Sequence, residues 1–213
     1  MRRFGLLIVA AGLVPAFNLC GQGVGIVNFT SVGAPLEKRV WVNDTCVVGD
    51  GVLAGAGYSA ALYWGFPTET DDRNMIQTGP AVSMLGTTGG AGTTVAGTYF
   101  GGGRTVTTPN STANAPVLAF QVRGWSTSAG SSYEAALASG NGQIGKGPMF
   151  TLKTKSPDTT ETNPNVWQAS GYTGFALGPV GMGGCNVIPE PSSTALTLLG
   201  VSTLFLVRNR NRK

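Results

Sequence analysis

Two runs restrict the fold more than anything else in this chain: residues 58–64 (YSAALYW) and 117–125 (VLAFQVRGW). Both have the period of two that a strand imposes on its side chains. In the first, Tyr58, Ala60, Leu62 and Trp64 share one face, and Ser59, Ala61 and Tyr63 the other. In the second, Leu118, Phe120 and Val122 are expected to face inward, and Ala119, Gln121 and Arg123 to face out. Shorter β-branched and aromatic runs lie around them at 24–30, 39–42, 81–85, 93–100, 104–108, 149–153 and 172–177. Gly-rich turns, among them Gly49-Asp50-Gly51, Gly89-Gly90 and Gly101-Gly102-Gly103, separate several of these runs. Short strands at such spacing predict an all-β fold, an antiparallel β-sandwich.

One short helix is expected in it, over residues 131–139. Ser131 or Ser132 serves as N-cap, Glu134 lies near the first turn, Ala135 to Ala138 favour helix, and Gly140 stops it. Residues 67–74, with Glu69, Asp71 and Asp72, and residues 154–165 read as loops. The β-domain is expected over 23–177, followed by a Gly-rich flexible stalk over 178–186.

The two ends of the chain differ from this body. Met1-Arg2-Arg3 is a basic start, and residues 4–17 are an apolar run of the length of a secretory signal, which predicts a removable signal helix within 1–22. At the other end, residues 187–213 read VIPEPSSTALTLLGVSTLFLVRNRNRK. Pro191 suits a helix start, and Ser192 or Ser193 can cap it. The uncharged run 194–207 would make a helix of roughly 21 Å, against about 30 Å of hydrocarbon in a bilayer. Arg208, Arg210, Arg212 and Lys213 then act as a basic stop that stays cytoplasmic. A transmembrane sorting helix is the expectation for this tail.

Without its two ends the body is no longer basic. The whole chain has 14 Lys and Arg against 10 Asp and Glu, but residues 23–188 keep eight cations and nine acids. With a body near −1 and no basic stripe, nucleic acid is not an expected partner. If Cys20 leaves with the signal, Cys46 and Cys185 remain. In an oxidising compartment these two could form a disulfide, or they could stay as two free thiols. Leu19 is larger than the small residue wanted before a lipidated cysteine, which makes lipidation at Cys20 the lesser reading.

Pro189, Glu190 and Pro191, followed by serines, an apolar helix and an arginine-rich end, resemble the tripartite PEP-CTERM sorting signal. The resemblance implies recognition by an exosortase-type membrane protease, cleavage near the motif, and delivery to the cell surface or extracellular matrix. It also implies transit through the inner membrane. The body, in the order VNF, AP, AGYSAALYWG, VLAFQVRGW and SYEAALASG, more loosely resembles secreted PEP-CTERM proteins with a single β-domain, as found in Verrucomicrobia-like bacteria. That group implies a β-sandwich and no defined activity.

The chemistry open to the chain is narrow. It has no histidine, which removes Ser-His-Asp and Cys-His nucleophiles and the usual zinc sites. Paired carboxylates could hydrolyse glycosides, and Asp71-Asp72 or Asp158 with Glu161 would be the pairs, yet in loops a solvated charge is the simpler reading. No Asp-x-Asp-x-Asp-Gly pattern is present for calcium, and no cofactor or metal is expected. Of the four tryptophans, Trp64 and Trp125 fit the core or its rim, Trp41 lies in a short strand, and Trp167, in a polar loop, is the candidate ligand contact. The sequence therefore predicts a non-enzymatic surface or matrix protein with a structural or binding role. Extracellular polysaccharide is its possible partner; a carbohydrate-binding module is the alternative, and a carboxylate-based glycoside hydrolase comes third.

Overall fold

The computed structural model describes residues 23–86, 95–109 and 115–186. Both terminal segments, with the expected signal, the sorting motif Pro189-Glu190-Pro191 and the basic stop, lie outside the described residues. Among the described residues the chain is all-β with one short α-helix. Its strands are β1 (Gly23–Thr30), β2 (Val40–Val42), β3 (Val52–Leu53), β4 (Tyr58–Gly65), β5 (Ile76–Ser83), β6 (Phe100–Thr108) and β7 (Val117–Ser126). Helix α1 (Tyr133–Ser139) follows, then β8 (Gln143–Lys146), β9 (Phe150–Lys153), β10 (Phe175–Pro179) and β11 (Cys185–Asn186).

The larger sheet runs β3-β2-β10-β8-β7-β4-β5, and the smaller one is the β1-β6 pair. β9 takes the first part of the β7 edge and β8 the second. β10 and β11 divide the edge of β8 in the same way. Most ladders are antiparallel, as expected, but β2 with β10 and β8 with β11 are parallel. Parallel neighbours need a long crossover, and β10 and β11 come last among the described strands, after such excursions.

The main core lies between the two sheets. Val27 and Phe29 of β1 and Val106 of β6 pack with Leu62, Leu118, Phe120, Val122, Phe175 and Leu177 of the larger sheet. The inward residues of both diagnostic runs are thus where their alternation puts them. Where β5 passes β6, Thr78 donates to the Thr105 carbonyl at 3.1 Å and Arg104 to the Pro80 carbonyl at 2.9 Å. These side-chain bonds join the two sheets where no backbone ladder does.

Several expected turns and strands differ. Gly101-Gly102-Gly103 is not a turn between two strands but lies within β6, near its start. The pairing jumps there: Phe29 faces Gly102 while Thr30 faces Phe100, so Gly101 is the extra residue of a β-bulge. Gly102 has φ +67°, and a Cβ on Gly101 would stand 2.5 Å from the Phe29 ring, so the bulge needs the glycines. β5 starts at Ile76, earlier than expected, and runs through Gly79-Pro80. β8 has no apolar alternation and was not expected at all; Gly145 sits within it because the Ala176 carbonyl leaves no room for a Cβ. In the expected strand 93–100, the described residues from 95 on make a turn and a single bridge, Tyr99 to Met84, before β6 begins.

Residues 178–186, expected as a flexible stalk, are folded into the sheet. Gly178 and Pro179 end β10, and Cys185 and Asn186 pair with Gly145 and Lys146. Cys185 is disulfide-bonded to Cys46, with Cα atoms 5.1 Å apart. A Cβ on Gly178 would stand 2.5 Å from the Cys185 sulfur, so this glycine serves close approach rather than flexibility. The bond spans 139 residues, for which chain entropy gives an upper figure of about 5 kcal/mol of stabilisation.

Candidate functional site

The outward face of β7, expected to meet solvent, is covered instead, together with the second face of β4. Ala61 and Tyr63 of β4 and Ala119 and Trp125 of β7 form a second buried cluster with Tyr133 and Ala136 of α1, Met75, Ile144 and Val180. Seven residues are too few for a helix to persist alone, so α1 depends on this contact. Its ends are well made: Ser132 Oγ accepts the Ala135 N–H at 3.1 Å, and Gly140 caps the other end in the left-handed conformation. The Trp125 indole N–H donates to the Gly130 carbonyl at 2.9 Å, which ties the approach to the helix to β7.

Arg123 sits in the middle of this face, with its side chain 8 % exposed. In register it stands opposite Ala61 on β4 and Lys146 on β8. The small Ala61 leaves room for the guanidinium to lie on the ring of Tyr63, two residues along, at 3.9 Å from its centroid. The Tyr133 ring lies 5.4 Å away. Arg123 Nε donates to Gln121 Oε1 at 2.9 Å, Nη1 to Glu134 Oε1 at 3.1 Å, and Nη2 to the Asp72 carbonyl. Two cations side by side on neighbouring strands repel each other. The segment before β5 answers this, since Asp72 gives its carbonyl to Arg123 and its carboxylate to Lys146.

Tyr63 completes the network by donating its hydroxyl to both Glu134 oxygens, at 2.9 and 3.0 Å. Burial, reinforced by that carboxylate, pushes the Tyr63 phenol well above its ordinary value. Burial pushes Tyr133 up to about 12. For Asp72, burial acts to raise the carboxyl, but the Lys146 ammonium, Gln121 and Arg123 outweigh it and hold the carboxyl below its ordinary range. A carboxyl held ionised in this way is suited to an ion pair and not to donating a proton.

The network opens on a cleft of about 370 Å³. Asp72, Arg73, Arg123, Glu134 and Lys146 supply its charged groups, and Met75, Tyr133 and Leu137 its apolar wall. Arg73 is at the rim, paired with Asp71 at 2.6 Å, and Leu137 is 48 % exposed. Alternation alone puts Arg123 and Gln121 on the outward face of β7, but the sequence does hold a sign against a solvated face there. Trp125, Tyr63 and Ala61 share that face, and large apolar residues on both faces of a strand mark one that is covered on both sides.

The other expected site residues are not brought to this cleft. Cys46 and Cys185 form the disulfide. Trp167 is half-buried against the main core, and its indole nitrogen is buried with no partner among the described residues. Its carbonyl accepts the Lys38 ammonium at 3.0 Å. Trp64 and Trp125 are core residues. Asp71 is held by Arg73, whose hydrogen bonds bring its carboxyl down to about 2. Asp158 and Glu161 are exposed. No group of three or more His, Cys, Asp or Glu that could hold a metal ion occurs among the described residues.

Among the described residues no helix is long and apolar enough to cross a membrane. Comparison of the chain with protein-family models, with curated proteins and with solved structures finds no match.

Proposed function

We propose that this chain is an exported, non-enzymatic β-domain that reaches the cell surface or extracellular matrix through its PEP-CTERM tail. The observation that carries this reading is where the disulfide lies. Cys185 closes the domain immediately before the tail begins at Val187, and a bond of this kind persists in an oxidising compartment outside the cytoplasm. The finer architecture that goes with it is a β-sandwich flanked by a signal helix and a sorting helix. The non-enzymatic part of the reading rests on the Arg123 network, in which each charged group is engaged by another part of the chain.

In the tail, Glu190 between two prolines is held extended, so that its carboxylate can be read by an exosortase-type membrane protease. The apolar run 194–207 sets the height of the motif, and Arg208, Arg210, Arg212 and Lys213 set its orientation. The test is expression in a host with an exosortase, followed by mass analysis of the membrane and surface fractions. Wild-type protein is expected at the surface without residues 194–213, and the Pro189→Ala, Glu190→Ala double variant is expected uncleaved in the membrane. Mature surface protein that keeps residues 194–213 would overturn the sorting reading.

A further inference from the structure

We infer that the cleft beside α1 binds a neutral saccharide, one hexose ring with part of a second. This goes beyond the sorting reading and does not depend on it. The argument starts from charge. Arg123 is spent on Gln121, Glu134 and the Asp72 carbonyl, Arg73 on Asp71, and Lys146 on Asp72. The cleft thus neutralises itself, and an anion entering it would come close to the carboxylates of Asp72 and Glu134, which already hold Lys146 and Arg123. A sugar hydroxyl need displace nothing, because it both donates and accepts. It can donate to Asp72 and Glu134, whose side chains are 21 % and 56 % exposed, and accept from Lys146 or Arg73.

The second argument is shape. Next to these groups stand Tyr133, which is almost wholly buried, and Leu137, half-exposed at the mouth of the cleft. Charged pairs beside an apolar wall match a sugar ring, which has hydroxyls on its rim and C–H groups on its face. The volume of about 370 Å³ is in the range of small-ligand sites. The aromatic and ion-pair scaffold beneath is already assembled, so binding would not have to order it.

The test uses the full-length chain in a zwitterionic detergent free of sugar. Cellotriose, laminaritriose, mannotriose and trigalacturonate are titrated by calorimetry and by saturation-transfer NMR. At least one neutral trisaccharide is expected to bind with a Kd on the order of 1 mM, as suits a ligand with few contacting atoms. Trigalacturonate is expected to bind at least about tenfold more weakly than that sugar, since the Asp72 and Glu134 carboxylates repel an anion. Lys146→Met removes a donor and should weaken binding by about tenfold or more. Leu137→Arg, at an exposed position, fills the mouth and should do the same, so a Lys146 variant that fails to fold would not decide the matter alone. Absence of binding by all three neutral sugars at concentrations well above that Kd would overturn the inference. Binding that Leu137→Arg leaves unchanged, or a preference for trigalacturonate, would overturn it as well.

Discussion

The two faces of the β4–β7 ribbon are built from the same strands and closed by opposite means. On one face Leu62, Phe120 and Val122 meet the β1-β6 sheet, and the contact is apolar. On the other, Arg123 lies on Tyr63 and is bonded to Gln121, Glu134 and Asp72 beneath α1. The apolar face gains from burial alone, which has no direction and tolerates small shifts. The polar face must match every donor to an acceptor, since a buried charge left unpaired is costly. The comparison teaches a division of labour: one face supplies stability, and the other positions a fixed set of charged groups at a cleft.

Substitutions can break this comparison. Phe120→Ala should have the larger effect, a loss of about 3–5 kcal/mol, because it leaves a cavity in a core closed on every side. Equilibrium urea unfolding measures it, and a loss below about 1 kcal/mol would mean that the apolar face is not the main source of stability. Arg123→Met should cost less, about 2–3 kcal/mol. Removing one partner of a buried pair costs more than that in general, but Glu134 is more than half exposed and can return to water. Its effect should also be local, with faster amide exchange in α1 and little change in β1 and β6.

Acid should sharpen the contrast with the smallest effect of the three. Asp72 has its folded-state pKa held below the ordinary 3.8 by Lys146 against the opposing effect of burial. Its contribution is therefore full above that unfolded value and is lost as pH falls through the folded one. Amide exchange in α1 and around Met75 is expected to rise below about pH 4. Exchange at Val27, Phe29 and Val106, whose face has no carboxylate in the core cluster, should stay protected over the same range. Equal loss of protection on both faces would show that acid acts on the whole domain and not through Asp72.

Much of the scaffold is legible in the residues themselves. The alternation in 58–64 and 117–125 identifies β4, β7 and their inward residues, and Ser132 with Gly140 brackets α1. These are local effects: strand period and helix caps depend on neighbours a few residues away. The candidate cleft was not legible in this way. Asp72, Arg123, Glu134 and Lys146 are far apart in the chain, and each reads singly as a solvated charge.

The sequence by itself thus determined an all-β body with one short helix, the inward faces of β4 and β7, the absence of histidine chemistry, and the composition of the two ends. Only the tertiary structure decided that the outer face of β7 is covered, that Gly101 and Gly102 make a bulge in β6, and that 178–186 joins the sheet. The physical reason is the same in each case. Whether a side chain is solvated, or a glycine bends or merely yields space, depends on which distant segment lies against it. Cys185 beside Cys46, and Lys146 beside Arg123, are neighbours only once the long connections have closed.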